Sequence, residues 1–343
     1  MIITSRQVHS IQLQSLSFED VTEKGAAFLH AKHLLGASSN HHEAFSRFRQ
    51  TMKWLWHTVV EPILDSIDFT TYKAGPDHKP RVIWIFAGLT HLLPLHAAVI
   101  FEPDEGHTDT SSTHDRVVSS YAQSIQSLLH KRTRQADLSS RTFTNVAVAS
   151  IFAMDNTQDL APLSASEEAA DVTSALSNAM KANTCKQPTL TGVKAALEAT
   201  GIAHFACHAI ANAIDPSLSS VKLENSELTV RDLIRMKLDC TQLVYLSACE
   251  SGANKDTLLR DEGIHVAGGF HMSGVPHVIS TLWEVDDYVA RVLAGMFYRR
   301  CKWFDAGGLD LSSVPEALHG AVGELKATGT EPMLWAAYIH SGP

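Results

Sequence analysis

Two apolar runs in this 343-residue chain end on residues that can do covalent and proton-transfer chemistry. Gln242-Leu-Val-Tyr-Leu-Ser-Ala-Cys-Glu-Ser-Gly252 is apolar and β-prone until Cys249, where a small, polar, glycine-containing loop begins. Upstream, Ile202-Ala-His-Phe-Ala-Cys-His208 ends in the same way on a histidine. A thiol attacks a carbonyl well as the thiolate, and a neighbouring imidazole can take its proton and later protonate the leaving amine. Adjacent strands would bring the two side chains together whatever their separation in sequence. Against this stands the commoner fate of an intracellular cysteine, a small buried hydrophobe. On these residues alone both readings of Cys249 stay open.

Neighbouring candidates read differently. Side chains alternate along a strand, so Cys207 and His208 face opposite ways, and His204 and Cys207 are expected in the core. Zinc binding by His204 and His208 would require a helix, because along a strand they lie roughly 13 Å apart. No Glu follows His204 to complete a metalloprotease pattern, so no metal is expected. There is no Gly-x-Ser-x-Gly elbow. The glycines of Gly268 to Gly274 lack the Lys-Ser/Thr of a phosphate loop, and Gly88 stands alone where a dinucleotide site needs several glycines. No cofactor is expected.

The elements that must position Cys249 and His208 follow from periodicity. Phe45, Phe48, Met52, Leu55, Val59, Ile63 and Ile67 form a stripe at helical spacing, with Pro62 kinking or restarting the helix. The turn-rich stretch 74–80 reads as a boundary. Strands are then predicted at 81–86, 117–121, 145–152, 202–207, 242–248 and 276–282. Helices are predicted at 122–131, from a capping box at Ser164-Ala-Ser-Glu167 to about Met180, from Thr191, from Thr229-Val-Arg-Asp232, and over 261–273 with Gly274 at its C-terminal cap. Residues 108–113 and 136–140 read as surface loops. Strands alternating with helices imply a three-layer α/β domain with a mostly parallel central sheet, whose ligands sit at the carboxyl ends of the strands. The expected organisation is a helical lead-in, residues 1–75, packed on a main domain, 76–343.

Composition narrows the class. An apolar share of 45% and a charged share of 19% describe a globular chain. Net charge of −9 and a pI near 6.1 give no general attraction to nucleic acid or an anionic membrane. The five cysteines include no C-x-x-C pair and read as reduced thiols. No apolar run is long enough to span a bilayer, and the N-terminus lacks the features of a secretory signal. A cytoplasmic location is expected, and a protein or peptide partner stays open on composition alone.

Several separated segments, taken in order, resemble the CHAT family of caspase-like cysteine peptidases, relatives of separase and the caspases. They are Gly88-Leu-Thr-His-Leu-Leu-Pro-Leu-His-Ala-Ala98, Val118-Ser-Ser-Tyr-Ala-Gln-Ser-Ile125, Ala203-His-Phe-Ala-Cys-His208, Leu246-Ser-Ala-Cys-Glu-Ser251, Thr281-Leu-Trp-Glu-Val-Asp-Asp287 and Trp335-Ala-Ala-Tyr-Ile-His340. The resemblance implies a caspase-like sandwich with an N-terminal helical extension. It implies an endopeptidase with His208 as general base and Cys249 as nucleophile, acting through a thioester. The oxyanion would be bound by the backbone N–H groups of Cys249 and Ala209. The family normally has glycine after the histidine; alanine keeps the N–H but resists positive φ. The alternative implied by that departure is a caspase-fold signalling or interaction module without turnover. Leu282-Trp-Glu-Val-Asp-Asp287 is similar to the separase sequence Leu-Trp-Asp-Val-Thr-Asp, which makes Glu284 and Asp287 candidates for binding a basic P1 side chain. The competing reading of Asp286 and Asp287 is a helix start, and Trp283 is expected in the core. A separate regulatory or sensor protein is the expected controller.

Overall fold

The computed structural model describes residues 1–36, 40–69, 79–86, 90, 93–100, 112–139, 148–212, 214–247, 265–305 and 308–343. Cys249 lies outside the described residues. Contact density divides the chain into two units, one of residues 1–82 with 89–119 and one of 83–88 with 120–343.

The first unit is helical. Helix α1 (Phe18–Gly36) packs on α2 (His41–Leu55), with Phe28 and Phe48 ring centroids 6.1 Å apart. Asn40 caps α2 by accepting from the Glu43 N–H. The predicted stripe is buried at Phe48, Met52, Leu55 and Val59. A π-turn at Trp56–Val60 interrupts it, and the helix resumes as α3 (Glu61–Asp65) with Pro62 in its first turn, where the missing N–H costs nothing.

The second unit holds most of an eight-stranded sheet, of which residues 81–82 and 118–119 are counted with the first unit. In chain order its strands are β1 (Arg81–Ile85), β2 (Val118–Ala122), β3 (Val148–Ala153), β4 (Lys181–Lys186), β5 (Ile202–Ala206), β9 (Leu243–Ser247), β10 (His277–Thr281) and β11 (Tyr338–Ser341). Between β5 and β9 runs a separate antiparallel ribbon of β6 (Ala209–Ile210), β7 (Ser220–Leu223) and β8 (Ser226–Thr229). Spatial order in the large sheet is β1-β2-β11-β10-β9-β5-β3-β4. β4, β3, β5, β9 and β10 are parallel, and β11 returns antiparallel to β10. The fold is therefore the three-layer α/β sandwich expected.

Both faces of the sheet are covered, which is why β5, β9 and β10 are buried at every position. On one face Phe152, Phe205, Val244, Leu246 and Val278 meet residues of α6 (Leu190–Ala199), α7 (Val230–Ile234) and α8 (Val266–Met272). Phe152 and Phe205 have centroids 4.7 Å apart, and Phe205 and Phe270 5.7 Å. Each such ring contributes about 1.5–3 kcal/mol by burial. On the other face lie α5 (Ala165–Leu176) and α9 (Asp287–Arg300), which pack together.

Local expectations met tertiary corrections. The helix after β2, α4, runs over Ile125–Ser139, so residues 136–139 are helical rather than loop. Thr189, not Thr191, caps α6 by accepting from the Gly192 N–H. Ser164 precedes α5 without a side-chain cap bond, because Asp155 takes that role from outside the helix. The Thr229–Asp232 capping box is formed as expected, and Gly274 follows α8 at φ 108°.

Lys131, on α4, is only 4% exposed and its ammonium has no hydrogen-bond partner among the described residues. Burial pushes its pKa down to about 7. Burial, reinforced by the Lys131 charge, also holds His271 well below the usual histidine range. Between pH 7 and the ordinary lysine value of 10.5 the unfolded state binds more protons than the folded one, so stability rises with pH across that window. His271 adds the same sign below its ordinary range. Urea midpoints followed by circular dichroism should increase from pH 6 to 9, and Lys131→Met should raise the midpoint at pH 6–7 and flatten the rise above it.

Candidate active site

The candidate site grows from the strand ends. β3, β5 and β9 stop level, with Ala153 beside Ala206 and Ala206 beside Ser247 in parallel register. His208 stands two residues past Ala206, and in sequence Cys249 is two residues past Ser247. The chain leaving His208 turns at once into β6, where Ala209 pairs with Val221, and the Lys222 N–H donates to the His208 carbonyl at 2.8 Å. That bond makes Ala209 and Val221 a non-hydrogen-bonded pair, so the Ala209 N–H points away from β7. Ala209 is extended and is not among the positive-φ residues. Alanine in place of glycine therefore imposes no left-handed strain there.

The half-buried His208 ring bonds through Nε2 to the carbonyl oxygen of Ala161 at 2.8 Å. A carbonyl only accepts, so Nε2 carries the proton, and in the neutral ring Nδ1 holds the lone pair. Ala161 belongs to the loop between β3 and α5, which is pinned along its length. The Met154 N–H donates to Ala206 at 3.0 Å and the Leu163 N–H to the Asp155 carbonyl at 2.8 Å. The Asp155 carboxylate accepts from the Ser166 N–H at 2.6 Å and from the Ser166 hydroxyl. Partial burial raises the Asp155 pKa, but the Ser166 bonds and the Lys186 charge outweigh it and hold the group below its ordinary value.

Asp287 grips the same loop, accepting the Ser164 N–H at 2.9 Å. Asp286 caps α9 through the Val289 N–H at 3.1 Å. The helix-start reading thus accounts for Asp286, while Asp287 ties α9 to the loop that holds the histidine. Glu284 is exposed and has no partner among the described residues. Trp283 is buried, its indole N–H donating to the Met333 carbonyl at 2.9 Å. A cavity of about 20 Å³ at the ends of β5 and β9, lined in part by Ser247, Glu168 and Asp287, has room for about one water.

Cys207 and His204 are buried as expected, on opposite faces of the sheet from one another. His204 is also the centre of a polar chain that periodicity did not reveal. Its Nε2 meets Glu168 at 3.0 Å, its Nδ1 meets the Tyr298 hydroxyl at 3.2 Å, and Tyr245 stacks on its ring at 4.9 Å. Burial raises the Tyr245 and Tyr298 pKa values well above the ordinary range, keeping both phenols neutral. Neither this chain nor the Ala161 acceptor had a sequence signal: every residue has a carbonyl, and the α5 pattern shows Glu168 only as one more helical carboxylate.

The layer order is that of a caspase-like α/β sandwich. A family model described as the CHAT domain matches residues 49–343, and the chain belongs to that family. Its fold is similar to the Arg-specific cysteine proteinase gingipain R of Porphyromonas gingivalis, with TM-score 0.52 and 12% identity over 87% of this chain and 67% of that chain. It is also similar to the Saccharomyces cerevisiae separase–securin complex, with TM-score 0.50 and 11% identity over 84% of this chain and 18% of that chain. The chain thus spans under a fifth of that second protein, and at such identities the likeness is one of fold. No curated protein matches the sequence. Among the described residues, no helix is long and apolar enough to cross a membrane.

The pinned loop makes a spectroscopic prediction. Nitrogen-15 NMR of the neutral protein should show His208 protonated at Nε2, and Asp155→Ala should shift the population toward the Nδ1–H tautomer by freeing the loop that carries Ala161.

Proposed function

We propose that the chain is a cysteine endopeptidase in which Cys249 is the nucleophile and His208 the general base. The observation that carries this reading is the register of β5 and β9. Ala206 and Ser247 are paired neighbours, and each dyad candidate follows its strand end by two residues in sequence. Parallel neighbours lie about 4.8 Å apart, within the span of a thiol and an imidazole.

Nδ1 of His208 takes the Cys249 proton as Sγ bonds to the substrate carbonyl carbon. The oxyanion that forms is held by the N–H groups of Cys249 and Ala209. Collapse breaks the C–N bond, and Nδ1–H of His208 protonates the departing amine, leaving a thioester. Water, deprotonated by His208, then releases the acid and restores the thiol. Ala161 keeps the ring in the tautomer this needs. Glu284 is the acid free to meet a basic P1 side chain, with Asp287 lending the carboxylate oxygen not used by Ser164. The substrate is a protein, and control rests with a separate regulatory protein. Extended geometry at Ala209 supports this reading over a non-cleaving interaction module.

A peptide library and a peptidyl electrophile test the assignment. Cleavage should be lost, by at least about 10³-fold, in both Cys249→Ala and His208→Ala. Mass spectrometry should find the electrophile on Cys249 well before Cys185, the exposed thiol. Labelling of Cys249 no faster than Cys185 defeats the reading.

A further inference from the structure

A groove of about 620 Å³ in the second unit is used by nothing described so far. One wall is the loop after β3, from Met154 to Leu160, with Gln187 at the end of β4; the other is the outer face of the ribbon, carrying Ile210, Lys222 and Glu227. Alternation places His208 on the same side of its strand as Ile210, so the groove leads away from the imidazole. Sheet order gives the direction. β9, which leads to Cys249, lies on one side of β5, and β3 and β4, whose ends border the groove, lie on the other. A peptide laid across the strand ends from β9 toward β3 passes His208 and enters the groove.

We propose that this groove binds the leaving-group side of the substrate, the residues C-terminal to the scissile bond, and selects for Lys or Arg there. The inference rests on the peptidase reading above: a histidine that protonates the departing amine lies between the thiol and the departing segment. The charge of the walls supplies the preference. Lys222 is already satisfied by Glu227 at 2.6 Å, and Ser220 adds a bond to the same carboxylate at 2.7 Å. The side-chain carboxylates of Asp159 on one wall and Glu224 on the other have no partner among the described residues, leaving both for an incoming cation.

Two kinds of substrate sharing one acyl-side sequence, found by library cleavage, test this. One is the amide of a small fluorophore, with no residue beyond the scissile bond; the others are quenched peptides with Lys or Glu at the second and third positions after it. The wild-type protein should favour the Lys peptide over the Glu peptide by about tenfold in kcat/KM, a few-fold for each half-exposed ion pair. In the double variant Asp159→Lys, Glu224→Lys that preference should vanish or reverse while turnover of the small amide is unchanged. An unaltered Lys/Glu ratio in the double variant overturns the groove assignment and leaves the peptidase reading standing. So does a parallel loss on the small amide. Wild-type protein that cleaves no member of the peptide library overturns the peptidase reading, and the groove assignment falls with it.

Discussion

The level ending of β3, β5 and β9 is the constraint on which the rest of this structure depends. Parallel register sets Ala153, Ala206 and Ser247 side by side, and a slip of one residue would turn every side chain of a strand to the wrong layer. Burial on both faces prevents that slip. Phe205 must meet the α6–α8 layer and His204 the α5–α9 layer. Once the register is set, the positions of the two residues after β5 are set as well, and His208 emerges where the sheet gives way to loops.

Emergence alone does not orient an imidazole. Here the β3–α5 loop does so by lending the Ala161 carbonyl, and the loop is held from three directions: the end of β5 through Met154, the start of α5 through Asp155 and Ser166, and α9 through Asp287. Two of these anchors are carboxylates accepting backbone N–H groups, bonds worth about 1.5–3 kcal/mol each against roughly 1 for a neutral pair. The charge of Asp287 is therefore spent partly on geometry. The ribbon β6–β8 completes the frame by fixing the backbone after His208, so that Ala209 is extended and its N–H is turned outward.

Polar groups inside the sandwich come at a cost that the fold meets unevenly. Glu168, His204 and Tyr298 satisfy one another within the α5–α9 layer, and removing one member of such a buried hydrogen-bonded chain typically costs about 1–3 kcal/mol because its partner is left unsatisfied. Lys131 is the opposite case, desolvated and lacking a hydrogen-bond partner among the described residues, and it responds by giving up its charge near neutrality. The first arrangement stabilises one packing of α5 and α9 against β5; the second makes stability depend on pH.

Periodicity and end signals by themselves determined six of the eight strands of the large sheet, missing β4 and β11, together with the α/β layering and the two strands that lead to His208 and Cys249. They succeeded because apolar alternation and caps such as Thr229 with Asp232 are local, and local physics is written in adjacent residues. What only tertiary structure decided is everything that joins distant segments. The carboxylate at the start of α5 comes from Asp155 rather than from the Ser164 box, and Asp287 holds a loop more than a hundred residues away. The acceptor for His208 is a backbone carbonyl, to which any residue type would have served. The ribbon and the acidic groove beside it arise from short polar strands too brief for periodicity to mark. Such partners are chosen by where the sheet register and the crossing helices place the backbone, and a backbone hydrogen bond leaves no mark in residue type.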